Sequence, residues 1–111
     1  MSAESLLVHD VYFRLNDRSP EARERLVAAC RKYLPGHEGI VLFTCGVVCD
    51  ELARDVNDRD WDVGLHIVFR DRAAHDHYQL TDAHHQFISE NKATWAKVRV
   101  FDTTAQRSAT P

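Results

Sequence analysis

No stretch of this 111-residue chain is both long and apolar. The longest run free of charge, residues 39–49, is about half the ~20 residues that a membrane-spanning helix needs, so no membrane partner is expected. Charge of one sign is equally scarce. The 14 Lys+Arg and 17 Asp+Glu give a net charge of −3, and they interleave, as in Arg70-Asp71-Arg72. With no basic stripe to neutralise phosphates, no nucleic-acid partner is expected. Glycine (4) and proline (3) are few beside 44% hydrophobic and 28% charged residues, which excludes collagen-like and disordered chains. A glycine-rich phosphate loop, a Ser-His-Asp order and a flavin fingerprint are all missing, so no cofactor is expected. The three cysteines, Cys30, Cys45 and Cys49, form no Cys-x-x-Cys pair and read as reduced packing residues. The opening Met-Ser-Ala-Glu-Ser lacks the basic and apolar segments of a secretory signal, and a cytoplasmic location is the expectation.

What is present reads as one domain over residues 1–111, with its core at 6–102 and a frayed tail at 103–111. Residues 6–15 alternate, with Leu7, His9, Val11, Phe13 and Leu15 on one face, and predict a strand. Ser19-Pro20 supplies a cap and a first-turn proline for a helix that buries Leu26, Val27, Cys30 and Leu34 and ends at Pro35-Gly36. Residues 39–48 and 61–69 predict two further strands, the second with Trp61, Val63, Leu65, Ile67 and Phe69 on its apolar face and Asp62, Gly64, His66 and Val68 on the other, and the charged stretch 50–60 between them predicts an exposed loop. Residues 73–80 and 83–91 read as short helices, the second capped by Asp82, and residues 97–102 as a fourth strand. The order is βαββαβ, an α+β, ferredoxin-like plan with a four-stranded antiparallel sheet. Helices cover only one face of such a sheet. Val8, Tyr12 and Val68 on the other are too apolar for water, so a second copy is expected to cover them as a homodimer.

Several segments carry a family resemblance. His9-Asp-Val11-Tyr-Phe13-Arg14, Gly39-Ile-Val-Leu-Phe43 with Gly46, Trp61-Asp62-Val63-Gly64-Leu65 before Phe69, the spacing Tyr78, His84, Phe87, and Val100-Phe101-Asp102 together resemble the stress-responsive A/B barrel family. The likeness spans residues 9–102. It implies a barrel-shaped homodimer of two facing sheets, in a family that includes polyketide cyclases and isomerase-like and monooxygenase-like members. Two departures stand out. Thr81-Asp82 occupies the place of the family's His-Pro step, and Val63 stands where the cyclases carry a polar, histidine-type residue.

The resemblance implies that His9, Tyr78 and His84 line a pocket between sheet and helices, with Phe13, Val63, Leu65 and Phe87 as its apolar walls. A histidine there can remove a proton alpha to a carbonyl while a tyrosine hydroxyl holds the developing oxyanion. In this reading His84 is the base, and Tyr78 and His9 position a small aromatic or oxo compound for lyase or cyclase chemistry. The alternatives are a non-catalytic binding module with packing histidines, and a cofactor-free monooxygenase in which Trp61 is the extra aromatic. His75-Asp76-His77 and His84-His85 offer imidazoles, but neighbours on a helix diverge by about 100° and form no complete ligand set, so no metal is expected. Trp95 reads as a core plug.

Overall fold

The computed structural model describes residues 5–108. Its elements follow the order β1 (Ser5–Leu15), α1 (Pro20–Tyr33), β2 (Ile40–Val47), β3 (Val63–Phe69), α2 (Arg72–Gln79), α3 (Asp82–Asn91), a 3-10 turn at Lys92–Thr94, and β4 (Trp95–Gln106). The strands form one sheet in the order β2-β3-β1-β4, antiparallel throughout. This is the ferredoxin-like fold that the sequence order implies.

Period two in β1 and β3 fixes which face is buried. Leu7, Val11, Phe13, Val63, Leu65, Ile67 and Phe69 point under the helices and meet Leu26, Val27, Cys30 and Leu34 from α1 and its end. Ser19 Oγ accepts the Ala22 N–H at 3.2 Å and so starts α1. The Leu34 N–H closes the helix on Cys30 O at 3.0 Å. Gly39, at φ +90°, then brings β2 past α2: a Cβ there would lie 2.4 Å from the Ala74 Cβ, so glycine alone fits.

Three local expectations are corrected. Asp62 does not share the solvent side with His66; it is fully buried before β3, where its carboxylate accepts from Leu15 N–H at 2.8 Å and from Arg18 and Arg23. An anchor of this kind needs three segments to converge, which alternation within one strand does not reveal. The cap of α3 is Thr81, whose hydroxyl accepts the His84 N–H at 3.2 Å, while Asp82 stands in the first turn. Residues 103–106 pair with the start of β1 in register, Ser5 opposite Gln106, and do not fray; the rest of the predicted tail beyond residue 108 lies outside the described residues.

All three helices lie on one face of the sheet. On the other, Tyr12 makes edge contacts with Trp61, His66 and Phe101, and Leu42 and Phe101 remain 55% and 52% exposed.

Candidate functional site

The site is built where the middle of β1 passes beneath the break between α2 and α3. His9 points inward from β1 and is buried. Its partner across the ladder to β4 is Asp102. Residues opposite one another on an antiparallel pair project to the same side. The two side chains therefore meet, His9 Nδ1 to Asp102 Oδ1 at 2.5 Å. A carboxylate only accepts, so the hydrogen sits on Nδ1 and Nε2 carries the free lone pair.

Tyr78 comes from the last turn of α2 and is 1% exposed. Burial raises its hydroxyl pKa well above the ordinary tyrosine value, with Cys30 adding to the effect, so it remains a neutral donor. The chain then turns at Leu80 and Thr81, and the Thr81 cap restarts the helix so that His84 faces back toward Tyr78, ring centroids 4.9 Å apart. Burial pushes His84 down to about 4, helped by His85, His9, His37 and His75 nearby. It is neutral at physiological pH. His84 Nδ1 is buried without a hydrogen-bond partner, and so is Trp95 Nε1.

These side chains border a cavity of about 180 Å³ whose walls include Phe13, Leu65, Phe87, Trp95, Val98 and Val100. His9, Tyr78 and His84 all line it. Val63 does not: it is fully buried in the core, although Leu65 on the same strand reaches the cavity. Trp95 is half-buried against Phe13, so it is both core filler and cavity wall. A larger depression of about 480 Å³ lies between α1 and the end of α3, but no histidine, cysteine or tyrosine lines it. The thiols supply no nucleophile at the cavity, since burial pushes Cys30 up to about 12 and raises Cys45 as well.

Two members of the constellation escape sequence reasoning. Asp102 reaches His9 through strand register, for which the alternation in β4 gives a face but no partner. His75 packs against His9 at 5.0 Å and against Phe69 at 5.5 Å, while His77 points to solvent. His75, His9 and Asp102 each offer a ligand atom, and these lie within 4.8 Å of one another. The metal-capable cluster among the described residues is therefore a different one from the helical histidine pairs considered above.

A family model described as the stress-responsive A/B barrel domain matches residues 7–105. The chain belongs to the stress-responsive A/B barrel family. Solved structures agree with its fold. One of a DABB family protein with a ferredoxin-like fold from Mesorhizobium loti is 20% identical with a TM-score of 0.76, covering 94% of this chain and 100% of that one. A dimeric ferredoxin-like protein of unknown function from Thermobifida fusca is 17% identical, TM-score 0.76, over 92% of each chain. The hydroxynitrile lyase of Passiflora edulis is 15% identical, TM-score 0.74, over 95% of this chain and 97% of that one. At these identities the likeness shows the fold alone. No curated protein matches the sequence.

Proposed function

We propose that the cavity binds a small aromatic or oxo compound and that His9, Tyr78 and His84 carry out acid–base chemistry of the lyase or cyclase type on it. The observation that carries this reading is the concentration of unsatisfied polarity there. A buried donor or acceptor left unpaired costs about 1–3 kcal/mol, and most buried polar groups avoid that cost. His84 Nδ1 and Trp95 Nε1 both bear it at the wall of one apolar cavity. Both atoms are closed to solvent as the cavity stands, so an occupant would relieve them only with a turn of the His84 and Trp95 rings toward an acceptor for the indole N–H and a hydroxyl for the imidazole. Such a ligand is polar at its edge and apolar across its face.

We also assign the roles differently from what the resemblance implies. A histidine lowered to about 4 is a hydrogen-bond acceptor and a poor base. In our reading the base is His9, because Asp102 holds its Nδ1–H and so orients Nε2, and the carboxylate would offset the charge of an imidazolium. In the proposed step His9 Nε2 takes a proton alpha to a carbonyl. The electron pair moves onto the carbonyl oxygen, which the Tyr78 hydroxyl holds. The proton then returns from His9 to the leaving or rearranged group.

The working unit in this reading is a homodimer. The bare sheet face with Leu42, Tyr12 and Phe101 exposes apolar surface that a second copy would bury. The description of the Thermobifida relative as dimeric supports it.

The test is a thermal-shift screen of phenols and small oxo acids on the wild type and on His84→Ala. Binding to the folded state raises the melting midpoint by mass action, about 2.7 kcal/mol of stabilisation at a hundredfold excess over Kd. At least one compound is expected to shift the wild type and to lose most of that shift in the variant. If no compound shifts the wild type while His84→Ala melts lower on its own, the histidine is a packing residue and the chemistry is withdrawn.

A further inference from the structure

Beyond the organic cavity, His75 presents an arrangement that the proposed chemistry leaves unused. Its Nδ1 lies 3.0 Å from Asp76 Oδ1, and the same carboxylate oxygen accepts from Arg72 Nε at 2.9 Å. Because that carboxylate accepts only, the ring hydrogen sits on Nδ1 and the lone pair on Nε2. His75 Nε2 is buried and has no hydrogen-bond partner. A ring held by a carboxylate at one nitrogen, with the other nitrogen bare, is the state of a metal-ligating histidine, whose far N–H is usually given to such a partner. Around this ring stand His9 and Asp102, and one donor atom from each of the three residues lies within 4.8 Å of the others.

We propose that His75 Nε2, His9 Nδ1 and Asp102 form a binding site for one divalent transition ion of the zinc type. Two imidazole nitrogens and one carboxylate oxygen suit zinc, whereas magnesium and calcium prefer sites made of oxygens. Ligand distances of about 2.0–2.2 Å place donors roughly 3.3 Å apart around a tetrahedral ion. The His9–Asp102 contact therefore opens slightly and the widest spacing closes. The adjustment falls mainly on Asp102, whose side chain is 43% exposed, while His75 is 15% exposed and held against His9 and Phe69. The ion takes the place of the hydrogen that joins His9 Nδ1 to Asp102, and that hydrogen moves to Nε2, so the metal-bound chain lacks the His9 base and is an alternative state to the one that does the proposed acid–base chemistry. Three protein ligands leave a fourth position open.

The three residues come from β1, α2 and β4, 93 positions separating His9 from Asp102. The experiment is isothermal titration of Zn²⁺ into the full, metal-free chain, with no organic compound present. Its answer is thus independent of whether the cavity binds an oxo compound. Saturable binding of one ion per chain is expected. His75→Ala and Asp102→Asn are each expected to weaken it by tenfold or more, on the order of what loss of a supporting or direct ligand costs. The double variant His77→Ala/His85→Ala, which removes two exposed histidines, is expected to leave it unchanged. Absence of saturable binding, or binding that survives both His75→Ala and Asp102→Asn, overturns the proposal, as does binding lost in the His77→Ala/His85→Ala variant. Circular dichroism confirms folding. Should His75→Ala fail to fold, Asp102→Asn, at a half-exposed strand position, decides.

Discussion

At the scale of the residue, His84 links the cavity to stability. In the unfolded chain it takes up a proton near its ordinary value of 6.5, and in the folded chain only near about 4. Between those values the unfolded state binds more protons, so stability contributed through His84 rises with pH from about 4 to 6.5 and is constant above. Below 6.5 the wild type is expected to lose melting temperature more steeply than His84→Gln, which does not titrate. Parallel profiles of the two proteins between pH 4 and 6.5 would show that the ring is solvated and not held in an apolar wall. The same residue was legible early, because Tyr78, His84 and Phe87 form a spacing that a family shares. Asp102 and His75 were not. Their importance comes from register and from a helix laid across the sheet, and neither is written in local periodicity.

Elements were read well where hydrophobic period and capping chemistry agreed. β1 and α1 emerge nearly as the alternation of residues 7–15 and the Ser19-Pro20 start imply. Ends were harder. β3 starts at Val63 and not at Trp61, since Trp61 Nε1 turns to Asp58 O at 2.7 Å and Asp62 is drawn into its two arginines. β4 runs to Gln106 although Thr103 to Gln106 carry little apolar pattern, because the opening of β1 lies alongside with its backbone groups free to pair. At the Thr81-Asp82 step, in the break between α2 and α3, Thr81 caps with its hydroxyl, and the turn aims His84 at Tyr78. Sequence reasoning chose the neighbouring Asp82 because both residue types cap well and only the backbone angles at Thr81, φ −71° and ψ 152°, distinguish the cap from the first turn.

For the whole molecule, layering decides the assembly. One face of the sheet is filled by three helices, and the other carries an aromatic cluster around Tyr12 with Phe101 half-exposed. Sedimentation at micromolar concentration is expected to give about twice the 12.7 kDa chain mass. Phe101→Asp, which places a charge on the bare face beside Tyr12, is expected to shift the protein toward the chain mass without unfolding it. A wild type that sediments as a single chain would remove the homodimer from the account. Fold class and dimer-prone face thus follow from alternation and element order. The cavity's chemistry follows from a few side chains that only the assembled sheet brings together.

The measurement that tests this chemistry most directly is the histidine ring spectrum by NMR, recorded as a phenol or oxo acid from the screen is titrated in. The resonances of His9 and His84 are expected to move saturably, and those of exposed His77 and His85 to stay in place. Shifts confined to the exposed rings, with His9 and His84 unmoved by every compound, would contradict this chemistry.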